Sequence, residues 1–71
     1  MKVQIELDTQ TDVMDFVRSV TTVDHDVTVT DGEGLRVNGK SLMGMLYALE
    51  FSELWCECPV DIYQKIQKYV V

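Results

Sequence analysis

The sequence has 71 residues, 46% of them hydrophobic, and a formal net charge of −6. A chain of this length forms one small domain with a limited core, and no apolar run approaches the roughly 18 residues of a membrane-spanning helix. The six basic residues are scattered among twelve acidic ones, which argues against nucleic acid as a partner. The start of the sequence lacks a basic region followed by an apolar stretch, so we expect a cytoplasmic protein.

The sequence begins with the pattern of a strand followed by a helix. Residues 3 to 7 alternate between apolar and polar, as in a strand with one covered face. Thr9 and Asp12 then have the spacing of a capping box, which predicts that a helix begins after Thr9. The apolar stripe of that helix comprises Val13, Phe16, Val17 and Val20.

A hairpin is predicted next. Valines alternate with polar residues from about His25 to Thr30, which predicts a second strand. Asp31-Gly32 is typical of a two-residue turn, because both residues tolerate positive φ. We therefore expect a third strand near Leu35 to Val37, antiparallel to the second.

The last part of the sequence predicts a helix, a strand and a final helix. Ser41 stands at the N-cap position of the first of these helices. Its predicted core stripe comprises Leu42, Met45, Leu46 and Leu49. Residues 54 to 58 then alternate as a fourth strand, and Pro59 is expected to begin a helix that runs to the end of the sequence.

The run Lys40-Ser41-Leu42-Met43-Gly44 resembles the regulatory serine segment of HPr, the phosphocarrier of the bacterial sugar phosphotransferase system. The predicted order of elements, β-α-β-β-α-β-α, is also that of the HPr family. The resemblance implies one HPr-like domain over residues 1–71: an α+β open-faced β-sandwich with a four-stranded antiparallel sheet and three helices on one face. A ferredoxin-like sheet with an extra terminal helix fits the same pattern and stays open as an alternative.

The residues that would make this chain a phosphocarrier are absent. The HPr family receives phosphate on the histidine of a G-L-H-x-R-P-A motif at the start of its first helix, whereas residues 8–12 here are Asp, Thr, Gln, Thr and Asp. A neutral imidazole nitrogen is needed to form the phosphoramidate, so we expect no histidine phosphorylation and no enzymatic activity. An aspartyl phosphate on Asp8 or Asp12 is a minor alternative, since no cluster of metal ligands accompanies them.

The same resemblance implies a regulatory role for the second helix. The family's matching serine is phosphorylated by a dedicated kinase, which makes Ser41 the candidate site of regulatory phosphorylation. The aliphatic residues that touch partner proteins in the family correspond to Leu42, Met43 and Leu46. For Leu42 and Leu46 a core position is an equal alternative, whereas Met43 lies outside the core stripe. The sequence thus predicts a cytoplasmic binding module for a protein, such as a serine kinase or a transcriptional regulator, without cofactor or metal.

Three other residue types leave alternatives open. Trp55 is predicted on the sheet face opposite the helices, where it either lies flat under its neighbours or anchors a dimer or partner interface. An oligomerising domain built on Trp55 is therefore the main alternative function. Cys56 and Cys58 are expected to be buried reduced thiols, and a metal or redox role there would require further ligands, of which His25 is the one candidate.

Overall fold

The strands and helices follow one another in the predicted order, and the computed structural model describes all residues from 1 to 71. The elements are β1 (Lys2–Ile5), α1 (Gln10–Val20), β2 (Thr28–Thr30), β3 (Arg36–Asn38), α2 (Leu42–Ala48), β4 (Leu54–Glu57), α3 (Tyr63–Ile66) and a 3₁₀ turn (Gln67–Tyr69). The longest helix has eleven residues, and none of the helices could span a membrane.

The four strands form one sheet in the order β1-β4-β2-β3, and each neighbouring pair is antiparallel. Helix α1 joins β1 to β2 across the inserted β4, and α2 joins β3 to β4 across the inserted β2. Both helices therefore cross the same face of the sheet, which confirms the predicted α+β open-faced sandwich. Because β1 and β3 lie at the edges, the arrangement differs from a ferredoxin-like sheet, whose first and third strands are central.

The core lies between the covered sheet face and the helices and contains sixteen buried hydrophobic residues. Helix α1 contributes Val13, Phe16 and Val20, all fully buried, as its apolar stripe predicts. The Phe16 ring meets the Tyr69 ring edge-on at 5.7 Å, which joins α1 to the C-terminal turn. The predicted capping box of Thr9 and Asp12 is present at the start of α1.

The hairpin differs from the prediction in length and in its turn. β2 begins at Thr28 rather than His25, and residues 31–35 form a five-residue loop before β3. The prediction of a two-residue turn was wrong. The Asp31 carboxylate accepts the N–H groups of Glu33 (2.8 Å) and Leu35 (3.1 Å) and so stabilises a longer loop. Two glycines in this loop, Gly32 and Gly34, take the positive φ values.

The final helix begins later than predicted. Pro59 and Val60 lie in a bend, and α3 starts at Tyr63, whose N–H donates to the Asp61 carboxylate at 2.9 Å. The helix also does not run to the end of the sequence as predicted, because Val70 is extended and forms a β-bridge with Ile5 of β1. This bridge covers the outer edge of β1, which the sequence pattern did not predict.

Candidate functional site

A close contact between the backbone at Gly39 and the backbone at Val27 fixes the position at which α2 starts. The Gly39 N–H donates to the Val27 carbonyl at 2.7 Å, and a Cβ atom on Gly39 would lie 2.8 Å from Val27 Cγ1. A residue without a side chain is therefore needed here. The Lys40 ammonium donates to the carbonyl of Val23, which follows α1. Hydrogen bonds to Val23 and Val27 therefore hold the turn that precedes Ser41.

Ser41 is the N-cap of α2, as predicted. Its backbone is extended, and its Oγ accepts the Gly44 N–H at 3.1 Å. Its carbonyl accepts the N–H of Met45 at 2.9 Å, which begins the helical hydrogen bonding. The hydroxyl therefore satisfies one of the N–H groups that the first turn leaves free, a contribution of about 1 kcal/mol to stability.

Helix α2 has the sequence Leu-Met-Gly-Met-Leu-Tyr-Ala and contains no charged residue. Only Met45 and Ala48 are buried. Leu42 was predicted in the core together with Met45, and this was wrong because Leu42 is 42% exposed. At about 100° per residue, Leu42 lies roughly 90° from the centre of the face that Met45 and Ala48 define, at the margin of the buried side.

The opposite side of α2 is apolar and open to solvent. Met43 is 83% exposed and Tyr47 56% exposed, and Leu46 is half-buried beside them. The Tyr47 ring meets the Phe51 ring edge-on at 5.6 Å, which holds it in place. We call Leu42, Met43, Leu46 and Tyr47 the α2 surface.

The α2 surface contains the three residues predicted to contact a partner, and it adds Tyr47. The prediction missed Tyr47 because it used only the aliphatic positions carried over from the resembling family. The sequence nevertheless indicates the exposure of Tyr47. A surface helix normally has a charged or polar face, and these seven consecutive residues include no charged side chain. Such a helix exposes apolar side chains unless another element covers them.

Side chains of Thr9 and Asp12 accept hydrogen bonds from backbone N–H groups at the start of α1. The Asp12 carboxylate accepts the N–H groups of Asp8 (3.0 Å) and Thr9 (3.3 Å), and the Thr9 hydroxyl accepts the N–H of Asp12 at 3.1 Å. Three backbone donors around this helix start are thus occupied, two of them by a carboxylate. Electrostatic repulsion by Asp8 and Asp12 opposes a phosphoryl group there.

Trp55 lies on the uncovered face of the sheet, as predicted, and its ring is half-buried. The indole N–H donates to the Glu53 carboxylate at 3.1 Å, and the Lys2 ammonium lies 5.6 Å from the ring centroid. A Cβ atom on Gly32 would lie 3.5 Å from the indole, so the β2–β3 loop also packs against it. Neighbours on three sides therefore cover the ring, and an interface at Trp55 stays a prediction.

Glu57 is the centre of the charged network on the same face. Its carboxylate accepts a hydrogen bond from Arg36 at 3.0 Å and lies 3.7 Å from the Lys2 ammonium. The Arg36 hydrogen bond, more than the nearby charges, lowers the pKa of the Glu57 carboxyl. The network joins β1, β3 and β4 across the sheet.

Cys56 and Cys58 are buried free thiols on the covered face. Burial, and secondarily the neighbouring Cys58, raises the pKa of the Cys56 thiol to about 11, so it stays protonated at neutral pH. His25 is exposed in the loop before β2. No three His, Cys, Asp or Glu side chains are grouped in a way that could hold a metal ion.

These features differ in what they offer a ligand. The thiols are buried and the tryptophan is covered by its neighbours, whereas the α2 surface is apolar and three of its four side chains are exposed. The α2 surface is therefore the best candidate for a functional site. Comparison of the chain with protein-family models, curated proteins and solved structures found no match.

Proposed function

We propose that this chain is a non-catalytic protein-binding module whose contact surface is the α2 surface. The observation that carries the proposal is a seven-residue surface helix without a charged residue, on which Leu42, Met43 and Tyr47 are exposed. Contiguous apolar side chains at a protein surface mark an interaction site more often than scattered ones. A bound protein would remove them from water.

The side chains of the α2 surface suit a protein contact. Met43 is unbranched and adapts its shape to a partner, and Tyr47 brings a rigid ring with a polar end. Methionine and tyrosine are both enriched at the centres of protein interfaces. This surface is preferred over oligomerisation through Trp55, because Trp55 already packs against Gly32 and Lys2.

The resemblance of Lys40–Gly44 to HPr supports a bacterial, cytoplasmic regulatory module. The strand order and the cap at Ser41 are compatible with that family, in which a partner contacts the same helix. By this analogy, the partner is a serine kinase or a transcriptional regulator, and the chain acts without a cofactor. The resemblance covers a short motif, so the partner class rests on analogy.

We expect the chain to take up no acid-labile phosphate from the general phosphotransferase enzyme and phosphoenolpyruvate. The start of α1 has no histidine, and Asp8 and Asp12 place negative charge where a phosphoryl group would have to lie. The measurement is a radiolabelled phosphotransfer assay, with authentic HPr as the positive control. Labelling of this chain would contradict its assignment as a non-carrier.

We expect a purified HPr serine kinase with ATP to phosphorylate Ser41. Ser41 is half-buried at the start of α2, and a phosphoryl group on its Oγ would meet the Gly44 N–H and the positive end of the helix. It would also add about two negative charges beside Met43 and so alter partner binding. Mass spectrometry locates the phosphate, and Ser41→Ala should abolish it while costing about 1 kcal/mol of stability. Labelling elsewhere, or none, would leave Ser41 as a helix cap alone.

Photo-cross-linking in the source cells tests the proposed function. p-Benzoylphenylalanine replaces Met43 on the α2 surface or, as a matched control, the exposed Gln64 on α3. We expect one discrete cross-linked protein from position 43 and none from position 64. The same products from both positions, or none from position 43, would overturn the proposal.

A further inference from the structure

An open groove of about 360 Å³ adjoins the α2 surface. It lies between the end of β1, the segment after α2 and the start of β4. Its apolar lining includes Leu49, Phe51 and Val71, and its charged lining consists of Glu6, Asp8 and Glu53. We call it the Phe51 groove.

The charge of the Phe51 groove is entirely negative. No basic residue lines it, and none of its three carboxylates belongs to an ion pair, since the ion pairs of the chain join Glu57 and Asp15 to other residues. Lys68 lines the adjoining depression together with Glu6 and Asp8, but its ammonium lies over the Tyr69 ring at 5.2 Å. Glu53 accepts the Trp55 indole N–H on Oε1, but no cation neutralises any of the three carboxylates, so each can still attract an incoming cation.

The groove and the α2 surface are continuous. Phe51 lines the groove, and its ring contacts Tyr47 of the α2 surface at a centroid distance of 5.6 Å. A partner that covers Tyr47 is therefore next to Phe51 and the groove that it lines. One partner can occupy both.

We propose that the Phe51 groove receives a basic, partly apolar segment of the protein that binds the α2 surface, an inference that rests on the proposed function. A lysine or arginine has the required chemistry, because its aliphatic stem can lie on Leu49 and Phe51 while its charged head meets the carboxylates at the rim. A second copy of this chain fits less well, because two chains of net charge −6 repel each other. The groove thus selects its partner by charge, and the α2 surface supplies apolar contact area.

Three synthetic peptides of equal length test this inference on the full chain by NMR. The first alternates Lys with Leu, the second replaces Leu by Ser, and the third replaces Lys by Glu. We expect the Lys/Leu peptide to shift the backbone amides of residues 6–8 and 49–54, the Lys/Ser peptide to bind more weakly, and the Glu/Leu peptide not to bind. Equal binding of the two lysine peptides, or shifts centred elsewhere, would overturn the inference.

Matched charge variants separate the groove from the overall negative charge. Glu6→Gln and Glu53→Gln should each weaken Lys/Leu peptide binding about two- to fivefold, as expected for exposed ion pairs. Asp24→Asn removes the same charge from an exposed loop residue outside the groove and should have a smaller effect. Equal effects of all three variants would overturn the inference. A partner cross-linked through position 43 would leave the proposed function standing in that case, so the two failures are distinguishable.

Discussion

Met45→Ala is expected to lower the free energy of unfolding by about 2–5 kcal/mol, whereas Met43→Ala should change it by less than about 0.5 kcal/mol. The two methionines are two residues apart in α2, but Met45 is fully buried and Met43 is 83% exposed. Truncation of Met45 removes packed atoms and leaves a cavity. Truncation of Met43 removes a side chain that makes no buried contact.

Urea unfolding followed by the fluorescence of Trp55 measures both effects. A domain of 71 residues has a total stability of roughly 4–11 kcal/mol, so Met45→Ala should remove a large part of it. Met43→Ala is the matched control, since it is the same substitution in the same helix. Equal costs for the two variants would mean that α2 is oriented differently and that its exposed side is not the α2 surface.

Tyr47→Ala is expected to weaken the complex with the cross-linked partner about 30-fold, which corresponds to a loss of about 2 kcal/mol in binding free energy. Tyr47 lies at the junction of the α2 surface and the Phe51 groove, so its ring should be fully covered in the complex. Buried aromatic side chains of this kind provide most of the binding free energy at protein interfaces. Titration calorimetry with the purified partner measures the change.

Tyr63→Ala is the control for this substitution. Tyr63 is a 41% exposed tyrosine on α3, away from α2 in the chain, and its replacement should leave the affinity unchanged. Circular dichroism of Tyr47→Ala checks that loss of the contact with Phe51 has not unfolded the chain. An equal loss of affinity from both tyrosine variants would refute Tyr47 as an anchor of the interface.

Features governed by nearest neighbours could be predicted from the sequence. The box of Thr9 and Asp12 and the cap at Ser41 form as predicted, because their hydrogen bonds join residues only three positions apart. The strand alternation likewise placed Cys56 on the covered face and Trp55 on the uncovered one. These features require no knowledge of the tertiary structure.

Features that depend on competing local hydrogen bonds could not be predicted from the sequence. Asp31-Gly32 is compatible with a two-residue turn, but the Asp31 carboxylate binds two later N–H groups and lengthens the loop. Pro59 fits the first position of a helix, yet α3 begins only after Asp61 accepts the N–H of Tyr63. In both cases an aspartate side chain decides between backbone conformations that the sequence pattern leaves equivalent.

The rotation of α2 about its axis also could not be predicted from the spacing of its apolar residues. Four apolar residues have the spacing of one stripe, but every position of this helix except Gly44 is apolar or aromatic, so several faces could turn inward. Contacts with α1, β2 and β3 select the face of Met45 and Ala48. The same choice exposes Met43 and Tyr47, so the candidate site is decided by tertiary packing.

Methionine oxidation in cells tests the central claim most directly, because native side chains report whether the α2 surface is covered. Met43 is 83% exposed and Met14, on α1, is 47% exposed, so a peroxide pulse should oxidise Met43 of the purified chain at least as fast as Met14. In the source cells we expect a partner to protect Met43 and leave Met14 reactive, which lowers the ratio of Met43 sulfoxide to Met14 sulfoxide in mass spectra. The same ratio in cells and in the purified chain would show an uncovered α2 surface and contradict the account.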